Sequence, residues 1–375
     1  MKNAIFAIAM LLSQFCVASE IRVHAGQSIQ AAVDAAAPGD RIVVQPGVYH
    51  EVGRPCVVDP TVTCAVLITK DNITLVGDGL PGRPVILENA GGQDTGIEAA
   101  RANATSPCVS TEAERIQGTT VAGFTVNGFG GNGIRLLCAD NWLVAFNSTN
   151  NNAEYGIFPA ESGNGRVHDN IATGAHDTGI YVGQSHDVRV DHNVATQNVS
   201  GFEIENSVNV TMDHNEAFSN TGGILVFILP GLTVLTGANN HVEHNSVHDN
   251  NQPNTCLNPG DDVCHVPPGS GILVVAGDSD SIEHNEVLNN ETVGIGVVDF
   301  CTAFGIPSAI CFSLGFDPLP ENTRIEFNLV KGNGNNPQFP GLPGEDLFWT
   351  GVGSGNCWKD NKADNQFPPE LPACK

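Results

Sequence analysis

Between Arg166 and Phe227 the chain writes one phrase three times: RVHDNIATGAHDTGIYV from Arg166, VRVDHNVATQNVSGFEI from Val188 and VTMDHNEAFSNTGGILV from Val210. In each copy an Asn, then a Gly, then an apolar pair return in step. The Asn recurs at Asn147, Asn170, Asn193, Asn215, Asn245, Asn285 and Asn328, at intervals of 23, 23, 22, 30, 40 and 43 residues. The first three intervals give the bare unit, and the last three carry inserted material. A unit of this kind cannot bury its own apolar face and must stack on its neighbours. Inside the unit the apolar residues alternate with period 2, as at Val188 and Val190, so its elements are strands rather than helices. The expectation is an all-β solenoid.

Working outward, Met1 to Ala18 has one Lys, an apolar run from Ala4 to Leu12 and small residues before Ser19. This is the layout of a cleaved secretory signal, too short for a membrane span, which needs about 20 apolar residues. The chain from 19 to 375 is then expected as one exported domain, periplasmic or secreted, monomeric and not inserted in a membrane. Lys and Arg number 16 against 41 Asp and Glu, a formal charge of −25. Such a surface repels nucleic acid and anionic membrane, and also a polyuronate unless a cation or basic groove intervenes. Apart from Cys16 in the leader, ten cysteines remain, an even number that implies disulfides in an oxidising compartment. Proximity pairs Cys56 with Cys64, Cys256 with Cys264, Cys301 with Cys311 and Cys357 with Cys374, leaving Cys108 for Cys138; spacing alone does not fix this connectivity. No C-x-x-C motif suggests zinc or redox chemistry.

SIQAAVDAA, from Ser28, places a Ser at an N-cap and Ile29, Ala32, Val33 and Ala36 on one helical face, ended by Pro38 and Gly39. A short helix over about 28–37 would plug the open end of the first coil. The longer stretch SIQAAVDAAAPGDRIVVQPGVYHE resembles the opening segment of pectin-lyase-like proteins, and GIYVGQSHDVRVDHN with GGILVFILPG resembles an exported β-helix repeat family. The resemblance covers almost all of the mature chain. It implies a single-stranded right-handed parallel β-helix with coils of about 22–23 residues. It says little of activity, because that architecture hosts lyases, hydrolases, esterases, epimerases and non-catalytic members.

The Asn ladder reads as structural, each side chain bonding to the coils stacked about 4.8 Å away. Before it stand Asp191 and His192, Asp213 and His214, Glu243 and His244, Glu283 and His284. A Val-Arg-Val-Asp-His run resembles a pectate-lyase motif, but four repetitions argue for a repeat feature. Stacked imidazole and carboxylate are also ligands for Zn, Ni or Cu; the competing reading is a solvated outer stripe. The strand that opens at each Gly is more informative. If Ile157, Ile180, Phe202 and Ile224 point inward, the outward set is Arg135, Phe158, Tyr181, Glu203, Leu225 and Leu273, followed by Leu137, Ala160, Gly183, Glu205, Phe227 and Val275. Insertions at about 229–238, 251–268 and 300–320 would wall a groove over this face, and a Pro-rich cap over 337–375 would close the solenoid, with Asp346 to Trp349 as the last strand.

Candidate catalytic groups are therefore Tyr181, Glu203, Glu205 and Arg135. The two Glu lie about 7 Å apart by strand rise, a separation suited to acid and base work on a glycosidic bond. Tyr181 or Arg135 would alternatively assist proton abstraction beside a uronate carboxyl. Phe158, Tyr155, Gln184 and Asn206 are candidate substrate contacts, Trp142 a candidate stacking ring. Asp261 and Asp262 suggest a Ca2+ site, or simply a turn after Asn258, Pro259 and Gly260. The Gly-His-Gly and Arg-Ile-Lys of polygalacturonases are absent. Gln93, Asp94 and Thr95 echo a pectin methylesterase motif without its partner. Tyr155 to Pro159 resembles the Tyr-Gly-Phe-Asp-Pro-His of mannuronan epimerases without the Asp and His. The readings that remain are a lyase, epimerase or glycoside hydrolase acting on a polysaccharide or oligosaccharide, a non-catalytic glycan-binding or scaffold protein, and a periplasmic accessory factor resembling β-helix maturation proteins of metalloenzymes.

Overall fold

The computed structural model describes residues 18–108, 112–338 and 343–375. The expected leader lies outside them but for Ala18, and the C-terminal cap is described without 339–342. Each coil contributes one strand to each of three long sheets. One coil runs through His186–Asp191, Val194–Thr196 and Ser200–Glu205, and the next begins at Thr211–Asp213. Neighbours pair in parallel, Arg166 beside Arg189 and Arg189 beside Thr211, so the sequence period of 23 and then 22 is the coil itself. Among the strand pairings of the described residues the exception is the antiparallel one of Arg54–Pro55 with Thr63–Ile68. The chain is thus a right-handed parallel β-helix, the hand that parallel crossovers take.

Three apolar columns fill the interior. Ile157, Ile180, Phe202, Ile224, Ile272 and Ile295 form one, Val144, Val167, Val190, Met212, Val242 and Ile282 another, and Ala172, Ala195, Ala217, Val247 and Val287 the third. Trp142 belongs to this core and not to a sugar-stacking surface: a Cβ on Gly165 would fall 1.9 Å from the indole. The corners between strands carry the ladders. Asn193 takes the amide of Asn170 at 2.9 Å and gives its own Nδ2 to Val167 O at 2.9 Å. A second ladder, Asn198, Asn220, Asn250, Asn290 and Asn333, ends on Asp346. A third runs through Ser162, Ser185 and Ser207. Each buried corner amide is satisfied by the neighbouring coil, which sets the stacking register.

The residue before each first-ladder Asn is left-handed, with φ of 56° at His192 and His214, 55° at His244 and 54° at His284. Histidine is among the residues that tolerate this region, and there its ring projects outward. The four rings stack at 5.0–5.1 Å and continue onto Phe327.

The N-terminal helix spans Ile29–Ala35, and the Ser28 side chain accepts from Ala31 N. Ile29, Ala32, Val33 and Ala36 join the core, as a plug should. All five cysteine pairs are bonded as proximity indicated. At the other end one expectation is corrected. Glu345–Trp349 is not the last strand; Cys357–Lys359, Lys362–Ala363 and Gln366–Phe367 add a further coil, because Asn361 extends the first ladder beyond Asn328. No helix among the described residues is long and apolar enough to cross a membrane.

Candidate functional site

The sheet that contains Ser200–Glu205 carries the expected outward row. Glu98, Arg135 and Phe158 occupy matching positions on successive strands, and so do Tyr181, Glu203, Leu225 and Leu273. The next row holds Gly183, Glu205, Phe227 and Val275. This face is covered rather than solvated. Val263 and Val266 of one insertion pack on Leu225 and Leu273, while Leu229 and Phe300 of the other two pack beside Val275. Where this cover stands off the sheet it leaves a cavity of about 620 Å3, a size typical of small-molecule sites.

Tyr181, Glu203, Glu205, Phe158, Tyr155 and Gln184 all line that cavity, as do Asp261 and Asp262. The rings of Tyr155, Phe158 and Tyr181 form one aromatic wall, with centroids 4.4–5.2 Å apart. Tyr181 lies back across Gly183, where a Cβ would fall 1.9 Å from its hydroxyl. The missing side chain lets the phenol reach toward Glu205, and Gln184 Nε2 donates to the hydroxyl at 3.1 Å.

Two expected residues do other work. Arg135 does not line the cavity; its Nε donates to the buried Glu98 at 2.7 Å. Asn206 is a loop clamp: Leu229 N donates to its Oδ1 at 2.7 Å, while its Nδ2 donates to Leu229 O and Val234 O at 2.8 and 2.6 Å. Both polar ends are used by the 229–238 insertion. Neither Asp261 nor Asp262 belongs to a three-ligand cluster among the described residues.

Sequence reasoning missed Glu154 and Asp177, which also line the cavity, beside Tyr155. They precede the strands that begin at Tyr155 and Thr178. The available signal was an acid just before the strand-opening Gly, where the next two coils have Val199 and Thr221.

Burial shapes the acids. It pushes Asp177 up to about 6, with Glu154 and Asp261 adding repulsion. It pushes Glu205 up to about 7, partly countered by the Tyr181 hydroxyl and reinforced by Asp177 and Asp262. Glu203 is raised well above the usual carboxylate range by burial and by Asp177. Glu154 and Asp262 are raised by burial too.

The outer stripe contrasts with this. Burial there acts upward on Asp191, but the paired Arg166 and His192 hold it at about 2. Arg166 grips it with two bonds of 2.6–2.7 Å, and His192 Nδ1 sits at 2.9 Å. Asp213 is bound in the same way by Arg189 and His214. These acids are committed to the scaffold, and no three-ligand cluster forms along the stripe among the described residues.

The fold places this chain in the right-handed parallel β-helix class. The sequence model described as a right handed beta helix region matches residues 89–227. The A-module of Azotobacter vinelandii mannuronan C-5 epimerase AlgE4 superposes with a TM-score of 0.62 and 19% identity, covering 89% of this chain and 90% of that one. The AlgE6 A-module gives 0.61 and 17%, covering 91% and 95%. The DFA-IIIase of Arthrobacter chlorophenolicus A6, in complex with GF2, gives 0.55 and 15%, covering 88% and 82%. No curated protein matches the sequence. Identities this low establish shared fold and nothing finer.

Proposed function

We propose that this chain is an exported carbohydrate-active enzyme that works by carboxylate acid–base chemistry on a saccharide held in the covered cavity. The observation that carries this reading is an aromatic-walled cavity lined by buried carboxylates, Asp177 and Glu205 among them, both pushed above the ordinary carboxylate range by burial. Acids raised in this way by their surroundings are suited to acid–base work. Glu205, whose burial favours the protonated form, serves as general acid toward the leaving oxygen, while Asp177 serves as base and takes a proton from the attacking water. Glu203, protonated, donates a hydrogen bond to the sugar, and the Tyr155, Phe158 and Tyr181 wall receives its apolar face. The relatives of known structure include a mannuronan epimerase module and a DFA-IIIase, which supports a saccharide as the occupant. Five disulfides suit an oxidising compartment.

Within this class hydrolysis is favoured over elimination or epimerisation. Those reactions abstract a proton beside a uronate carboxylate and need a cation to hold the developing charge. No Lys or Arg is among the described residues that line the cavity. The test is a glycan panel assayed for new reducing ends and for unsaturated uronates, with wild type, Glu205→Gln and Asp177→Asn. Reducing ends lost by at least 100-fold in both variants would support the assignment. Unsaturated uronates, or full activity in Glu205→Gln, would overturn it. Glycans that bind and stay intact would instead mark a non-catalytic glycan-binding protein.

A further inference from the structure

Acid–base cleavage needs two carboxylates, and this cavity has six: Glu154, Asp177, Glu203, Glu205, Asp261 and Asp262. Glu203 and Glu205 are only 3% and 8% exposed, yet no cationic side chain pairs with either among the described residues. Each acid burdens its neighbours: Asp261 acts on Glu154 and Asp177, Asp177 on Glu203 and Glu205, Asp262 on Glu205. The two lining histidines pair with neither Glu203 nor Glu205 among the described residues. His176 Nδ1 is 3.0 Å from Thr255 O, and His265, tilted against Phe304, acts on Asp262 at the rim. The cavity lining is therefore strongly acidic, with an aromatic wall on one side.

We infer that the natural occupant is a cationic saccharide, an amino sugar with its nitrogen unacetylated and protonated, whose ammonium supplies the charge that the lining lacks. This rests on the saccharide-processing reading above and names its substrate class. A ring with an ammonium group meets the aromatic wall through its apolar face and the acids through its nitrogen, a cation over aromatic rings being favourable in its own right. A polyuronate would add like charge to a cavity that already resists ionisation. A neutral sugar would leave the mutual repulsion of the acids in place. Because the ammonium favours the ionised acids, binding should also release protons into the buffer.

Isothermal titration at low ionic strength decides the point, using Glu205→Gln protein, which retains five of the six acids and does not turn over, beside wild type. The probes are tetramers of glucosamine and galactosamine, their N-acetylated counterparts, a neutral hexose tetramer and an oligogalacturonate. One amine tetramer should bind at least tenfold tighter than its N-acetylated form, with an advantage that shrinks as salt rises. In Asp261→Asn with Asp262→Asn the same ratio should fall several-fold. Equal or tighter binding of the N-acetylated, neutral or uronate probes would overturn the inference and leave the saccharide-processing reading intact. Binding of none would overturn both.

Discussion

Replacing Glu205 by Gln should remove activity and at the same time make the protein more stable, by an amount that depends on pH. Glu205 is buried on the sheet face and displaced from its ordinary 4.5 to about 7. Each pH unit of displacement corresponds to about 1.4 kcal/mol, so the ionised side chain costs the fold about 3 kcal/mol at most. The sign follows from which state holds the proton. Below 4.5 the folded and unfolded chains are both protonated at this position, and Gln is an isostere of what it replaces. Between 4.5 and about 7 the unfolded chain ionises while folded Glu205 keeps its proton, so wild-type stability falls as pH rises. Above that window the loss is complete and constant. Guanidinium unfolding of both proteins should therefore show no difference near pH 4 and a gain for Glu205→Gln approaching about 3 kcal/mol near pH 8. Gln should also lift some repulsion from Asp177 and Glu203, so the gain should not be much smaller. A difference independent of pH, or a variant weaker than wild type near pH 8, would refute the claim that this carboxylate is buried without a countercharge.

Tyr181→Phe removes the hydroxyl that holds Glu205 down, so the alkaline limb of kcat/KM should move to higher pH; Asp262→Asn removes repulsion and should move it lower. Asn215→Ala takes from Asn193 N and Val190 O the side-chain partners they have in the ladder, while Asn193 Nδ2 keeps Val167 O and Asp191 O. At about 1–3 kcal/mol for each of these two stranded buried groups this should lower unfolding stability by about 2–6 kcal/mol. Cys256→Ser with Cys264→Ser opens a loop of 8 residues that roofs the cavity. It should cost about 2 kcal/mol by the chain-entropy relation and raise KM more than it lowers kcat. Unchanged KM would mean that the roof does not touch substrate.

The fold was legible because its determinants are local in the repeat. A period of 22–23 and one Asn per coil specify the stacking, and the alternation around Ile180 and Phe202 specifies which side chains turn out. The second ladder escaped notice because Ala175 interrupts it between Asn152 and Asn198, and the third because it is built of serines. The site was half legible. Tyr181, Glu203 and Glu205 stood out as departures from an apolar row, but whether they faced water or a cover depended on three insertions whose folding no period dictates. Arg135 was misplaced for a related reason. Its partner Glu98 lies 37 residues earlier, in a coil whose sequence departs from the repeat. Asn206 was a candidate substrate contact by sequence, yet φ is 44° there and its amide turns to hold the loop.

Why the acids sit mid-solenoid follows from the same physics that makes the repeat. In a stacked array each coil answers only to its neighbours, so stability is close to a sum of coil and interface contributions. A coil carrying Glu203 and Glu205 where the next has Leu225 and Phe227 is weaker than the apolar alternative. At the end of the array that weakness would fray the structure. Between Thr178–Gly183 and Gly222–Phe227 it is clamped by pairing on both sides and by Asn193, Asn215 and Asn245 at the adjacent corner. The repeated acid-His-Asn phrase that first draws the eye is thus the support, with its carboxylates tied to Arg166 and Arg189. The carboxylates that break the pattern, Glu203 and Glu205, have hydroxyl partners and no counter-cation, and it is the unbroken coils on either side that allow them to stay buried.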